Sequence, residues 1–291
     1  MPAAPKDLFK PPTPEQFEDY LRDHPANPPT VWQMRTPWII FFVLFLLSYV
    51  ASGPLSALLM FAALLWLIGH TSFRTRRLLS LQARVRRTQE IAMLRRYPKA
   101  LRQGWRTLPK VTPLPQLHGQ TIAMMSHCLD TLGQYDAAIV GYDYLLDKLP
   151  PGQPAAIHIG VSRAAAALGA ERLSDADDAL RRLRGPIEPF ENTPISAAYR
   201  LALLTQQVRT YHFQEGVQES EGLVDALRPL GIDAGYGHAL MALCHYHTDN
   251  NPDNNNISNA TQTWWQQATL LLPPNTLLKR FPELKPLTEL A

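Results

Sequence analysis

A chain of 291 residues, 46% hydrophobic and 18% charged, is long enough for one sizeable core or two modest units. Its formal net charge of +3 hides a strong asymmetry. Residues 1–37 carry Lys6, Lys10, Arg22 and Arg35 against Asp7, Glu15, Glu18, Asp19 and Asp23, a net of −1. Residues 70–110 carry twelve basic residues against Glu90 alone, a net of +11, and from 111 onward twelve basic residues face nineteen acidic ones, a net of −7. Cationic blocks of this kind meet anionic lipid or nucleic acid. The two cysteines, Cys128 and Cys244, are too few for a disulfide framework and sit in apolar helical patterns, as buried thiols do.

The first 37 residues are proline-rich and read as a mostly disordered tail holding one short helix. In TPEQFEDYLRDHP, Thr13 caps, Pro14 takes the first helical position, and Glu15 and Glu18 lie near the positive helix end. Phe17, Tyr20 and Leu21 share one face, which fits docking on a membrane or on the protein's own domain.

No Asp, Glu, Lys or Arg occurs between Arg35 and Arg74, and residues 38–73 read as a transmembrane or re-entrant helical hairpin. A straight helix over 38–69 would be roughly 48 Å long, against a hydrocarbon core of about 30 Å. Splitting it at Gly53-Pro54 gives two arms of about 22 Å each. The turn chemistry of Ser52-Gly-Pro-Leu-Ser56 favours a hairpin with both ends cytoplasmic; one kinked span with an external tail is the rival. The collar of Arg74, Arg76, Arg77, Arg84, Arg86 and Arg87 directly follows, and the positive-inside rule places it in the cytoplasm. Its helical pattern suits a layer of anionic lipid headgroups. Without a helix-turn-helix, zinc or RNA-binding signature, no nucleic acid partner is expected.

Residues 74–118 read as a basic juxtamembrane helical region and a degenerate first repeat, with Tyr97 and Ala100 at the spacing of Tyr135 and Ala138. Residues 119–273 read as helical repeats. Ile122, Met125, Ser126 and Leu129 share one helical face; Leu132-Gly133 ends that helix; Tyr135, Ala138, Tyr142 and Leu145 share the next face, and Pro150 stops it. Val161, Ser162, Ala165 and Leu168-Gly169 repeat the first-helix pattern 36 residues on, followed by Leu173, Ala176, Leu180 and Leu183. A third unit uses Leu201, Leu204, Thr205 and Val208, then Phe213, Gly216, Ser220 and Leu223. A fourth has a first helix around Tyr236–Tyr246 and a second ending in WWQQATLLLP. Residues 274–291 read as a capping helix broken by prolines. The pattern of Ile122, Met125, Ser126, Leu129, Ala138, Tyr142 and Pro150 resembles the tetratricopeptide repeat, in which small residues let antiparallel helices approach and repeats must stack to bury their faces.

That resemblance implies an all-α solenoid whose first helices line a groove for a peptide or a partner's helix. The matching groove positions are His127, Asp130, Arg163, Gln206 and Arg209. With Ala123 and His127 in the first repeat, the subclass that clamps C-terminal carboxylates is not supported. The reading is a membrane-anchored, non-enzymatic scaffold with no cofactor, holding a protein or peptide partner at the cytoplasmic face; oligomeric state is left open. Two alternatives stand beside it. One is a membrane-shaping or envelope-assembly component with a lipid-binding collar. The other is a metal or enzymatic protein using Cys244 and His247, which share a helix face while His245 points away. The polar run DNNPDNNNISNA lacks the glycine and final glutamate of a calcium loop and reads as an inserted turn.

Overall fold

The computed structural model describes residues 10–50, 53–218, 222–249 and 258–288. Among them there are helices and turns and no strand, so the chain is all-α. It divides into two compact units, residues 1–132 and 133–291, and the division falls inside the stretch read as repeats.

The first unit opens with α1 (Pro14–Asp23). The Thr13 hydroxyl accepts from the Gln16 amide at 3.3 Å and the Gln16 side chain accepts from the Thr13 amide at 3.1 Å, a reciprocal capping box. Phe17 and Leu21 are buried, and the Tyr20 ring stacks on Trp105 at 3.7 Å while its hydroxyl donates to the Trp105 carbonyl. Two further links follow: the Asn27 amide donates to the Thr112 carbonyl at 2.8 Å, and His118 Nε2 lies 2.9 Å from the His24 carbonyl. Of its two expected docking surfaces, the helix occupies the protein's own domain.

Helices α2 (Val31–Val50) and α3 (Pro54–Met93) pack against each other as a hairpin. Gly53, at φ +71°, supplies a backbone conformation that a side chain disfavours, and Pro54 starts α3 with its φ already helical. The Ser56 hydroxyl donates to the Ser48 carbonyl at 2.7 Å, satisfying one of the acceptors left free at the end of α2. Unlike the arm expected from Trp38, α2 begins at Val31 and runs through Pro37. Proline inside a helix costs about 3 kcal/mol in water, because the carbonyl four residues back, here that of Gln33, loses its donor; the Thr36 hydroxyl bonds the adjacent Trp32 carbonyl at 2.7 Å. The forty residues of α3 do not stop where the apolar sequence stops. Its second half buries Leu81, Val85, Thr88 and Ala92 and packs on α4 (Tyr97–Val111) and α5 (Pro115–Thr131).

The second unit runs through α6 (Tyr135–Leu146), α7 (Pro154–Gly169), α8 (Leu173–Ile187), α9 (Pro194–Arg209), α10 (Phe213–Gln218) and α11 (Leu223–Leu227), then α12 (Ala234–Asp249), α13 (Asn259–Leu271), α14 (Pro274–Arg280) and α15 (Lys285–Thr288). Contacts follow chain order: α6 with α7, α7 with α8 and α9, α9 with α10, α11 and α12, and α12 with α13. The core centres on α12, whose residues from Gly237 to Cys244 are all buried. Leu277, Phe281, Leu284 and Leu287 close onto that cluster from a C-terminal segment broken into short pieces, each beginning at or next to a proline. Ser220, Asn251 and Asp253 lie outside the described residues.

One turn recurs along the chain. Arg95, Gly133, Glu171 and Tyr211 each have positive φ just after a helix, 38, 38 and 40 residues apart. At three of them the same bond closes the turn: Arg96 amide to Ile91 carbonyl, Arg172 to Ala167, and His212 to Gln207. Seven residues before the turn stand Thr88, Ser126, Ala164 and Leu204; five after it stand Ala100, Ala138, Ala176 and Gly216; all eight are buried. This corrects the 36-residue spacing expected from pairing Leu132-Gly133 with Leu168-Gly169. Gly169 stays in α7, and the left-handed position falls two residues later, on Glu171.

Candidate functional site: an apolar hairpin continued by a basic helix

Both arms of an antiparallel helix pair rise about 1.5 Å per residue from the turn. The Ser56–Ser48 bond sets their register, so residues equally far from the turn lie at one depth. Trp38 is then level with Trp66, Arg35 with Gly69, and Val31 with Phe73. Each arm to that level has twenty residues, about 30 Å, the thickness of a hydrocarbon core. The sequence estimate of about 22 Å missed the opening turns of α2. By length and composition α3 is the one described helix apolar and long enough to cross a membrane, and α2 adds a shorter apolar stretch, Arg35–Val50. Outward-facing Phe42, Leu46, Leu58, Phe61 and Ile68 leave the hairpin coated in exposed apolar side chains.

Past Phe73 the same helix turns basic. Every residue from Thr71 to Ser80 is exposed, including Arg74, Arg76 and Arg77. Arg84, Arg86 and Arg87 are exposed as well, in the segment whose other face is packed through Leu81, Val85 and Thr88, and Arg86 pairs with Glu90 at 3.1 Å.

The five groove positions divide between the units. His127 is exposed on α5 with its ring 6.0 Å from Tyr97, and Asp130 on the same helix is buried. In the second unit Arg163 pairs with Asp143 of α6 at 2.5 Å, and the Gln206 amide donates to Asp177 of α8 at 2.8 Å. Arg209 donates to the Leu168 carbonyl at the end of α7, with its Nε 3.3 Å from Glu283. These three side chains tie neighbouring helices together. Arg209→Ala is expected to lower the stability of this unit by about 1.5–3 kcal/mol, the range for a hydrogen bond involving a charged group. Urea denaturation checks this, since a side chain free for a partner would leave stability within about 0.5 kcal/mol.

Cys244 and His247 share the face toward α10, where packing occupies both. A Cβ on Gly216 would lie 2.8 Å from the Cys244 sulfur, and the His247 ring stacks on Phe213 at 4.3 Å. Burial pushes the Cys244 thiol up to about 12, away from the reactive thiolate. His245 faces Asp249 at 3.2 Å. Among the described residues no three His, Cys, Asp or Glu side chains converge to hold a metal ion.

Burial lowers the pKa of His118, opposed by its bond to the His24 backbone and reinforced by repulsion from His24. A folded-state value below the unfolded one, about 6.5, costs nothing above that pH because both states are neutral. As pH falls below it, the unfolded chain takes up a proton that the folded chain resists, so stability declines. The first unit is expected to unfold at lower urea concentration at pH 5.5 than at pH 7.5. His118→Gln is expected to flatten that dependence, with Trp105 fluorescence as the probe.

No protein-family model, curated protein or solved structure matches the chain.

Proposed function

We propose that this protein is a membrane-anchored helical-repeat scaffold, with a tetratricopeptide-like array held against the cytoplasmic face by a hairpin whose two ends lie on that side. The observation that carries this reading is α3. One uninterrupted helix serves first as an apolar hairpin arm and then as the first helix of the first repeating pair, so the anchor and the start of the array are one rigid element. The docking of α1 on α4 supports the same-side geometry. In a single kinked span the tail would lie across the bilayer from α4, and the Tyr20–Trp105 stack could not form. Arms of about 30 Å favour a hairpin that crosses the core over a wedge confined to one leaflet. Arg35 lies about 6 Å from the base of its arm, within reach of the interface by extending its side chain outward.

Alkaline carbonate extraction tests the anchor: the full chain is expected in the membrane pellet and a chain lacking 38–69 in the supernatant. Recovery of the full chain in the supernatant would remove the basis for the proposal. Cross-linking then tests the scaffold, with the same cross-linked partner band expected from both chains.

A further inference from the structure

We propose that the C-terminal segment from Pro274 to Thr288 is a displaceable occupant of a peptide-docking track on the second unit. The partner that fits this track is a short segment carrying a basic residue, then an aromatic, then an acid two positions after the aromatic and a leucine directly behind it. This names the partner class of the scaffold reading and rests on that reading. The chain's own segment supplies the template in Arg280, Phe281, Glu283 and Leu284. It does more than cap the last helix pair, because its side chains reach far back along the chain. The Arg280 guanidinium lies 5.3 Å from the ring centre of Tyr135 at the start of α6, within cation–π range. That ring lies in turn against Gly169, where a Cβ would come within 2.5 Å of it. Glu283 meets Arg209 at the end of α9, and the rings of Phe281 and Tyr236, near the start of α12, are 5.8 Å apart. The stretch from Arg280 to Glu283 therefore touches three helices distant from one another in sequence, as a peptide laid across an array does.

The segment is attached as a separate piece. Leu272 and Pro273 have extended backbone, so α13 ends before it and the join is a two-residue hinge. Its helical pieces have seven, three and four residues, each too short to persist alone in water. Its hold comes from the side chains it inserts, Leu277, Phe281, Leu284 and Leu287. At its charged contact the fit is incomplete. Arg209 Nε is buried and makes no hydrogen bond although Glu283 Oε1 is 3.3 Å away, so the carboxylate sits off the N–H direction. A buried charged donor left in this state favours an incoming carboxylate that aligns with it. A neutral or basic segment would leave the Arg209 charge buried without a partner, which the acid requirement expresses.

The test uses the full chain in detergent and a fluorescent peptide of residues 276–288 added in trans, with binding read by anisotropy. In the wild type the tethered segment competes, so the apparent affinity is reduced by the small fraction of chains whose track is empty. Glu283→Gln in the chain is expected to tighten peptide binding about threefold, and Phe281→Ala about tenfold or more. The same changes placed in the peptide are expected to weaken binding. Glu283 is partly exposed, so its variant carries the test if Phe281→Ala unfolds the unit. In an Arg209→Gln chain, peptides with Glu and with Gln at the position of Glu283 are expected to bind equally, which a purely structural Arg209 would not produce. The inference is overturned if neither chain variant binds the peptide more tightly than the wild type, if a scrambled peptide binds as well, or if the Arg209→Gln chain still prefers Glu. It is overturned too if the peptide converts a wild-type dimer to monomer, since the occupant is then a second copy. Excess peptide is expected to abolish the cross-linked partner band. A band that persists overturns this inference and leaves the scaffold reading standing, whereas a band absent from every chain would remove the scaffold reading itself.

Discussion

Phe17→Ala is expected to release α1 from α4 and open the N-terminal segment to protease. Phe17 has no exposed surface, and truncating a buried phenylalanine costs about 3–5 kcal/mol. The helix it belongs to has ten residues, too few to persist alone in water, so lost docking becomes lost helix. The Tyr20 stack and the Asn27–Thr112 bond remain, but both depend on the chain being held there. Trypsin cutting after Arg22 reads the effect. If cleavage tracks the open population, a loss of about 3 kcal/mol raises its rate on the order of a hundredfold. Cleavage at the wild-type rate would mean that α1 contributes little to the fold of the first unit.

The second large effect belongs to α12. Leu240 is fully buried on a helix covered on several sides by α9, α10, α11 and α13. A cavity there has few neighbours free to collapse into it, so Leu240→Ala is expected to cost about 2–5 kcal/mol. The second unit has 159 residues, from 133 to 291. At about 2–4 °C per kcal/mol for that size, its melting temperature is expected to fall by roughly 4–20 °C. Circular dichroism of the full chain in detergent checks this. A shift below about 2 °C would contradict the placement of α12 at the centre of the core.

Local chemistry made much of this readable in advance. The cap at Thr13, the proline start of α1 and the shared face of Phe17 and Leu21 follow from side chains acting within one turn, and the structure has all three. The small residues Ala100, Ala138, Ala176 and Gly216 are visible as a seam because close helix approach leaves no room for larger ones. What was not legible depends on partners distant in sequence. The apolar run suggests an arm starting at Trp38, yet α2 begins at Val31 and runs through Pro37. Gly169 looks like a turn residue, yet the helix continues and Glu171 takes the strained position. Arg163, Gln206 and Arg209 read as groove residues because the repeat resemblance puts them next to the packing positions of first helices. Their internal partners Asp143, Asp177 and the Leu168 carbonyl lie 20, 29 and 41 residues away. The recurrent polar residue and its internal acceptor could be matched only once the helices were side by side.

Cysteine labelling in sealed vesicles tests the central claim, that both ends of the hairpin lie on the side of the repeats. The native Cys128 and Cys244 are buried and silent to a membrane-impermeant maleimide, so single additions can be read directly. Glu15→Cys reports the N-terminal segment and Lys99→Cys reports α4, both at exposed positions. The account predicts that the two label from the same side of the membrane and to a similar extent. Labelling of one from outside, with the other reached only after the vesicles are permeabilised, would contradict it.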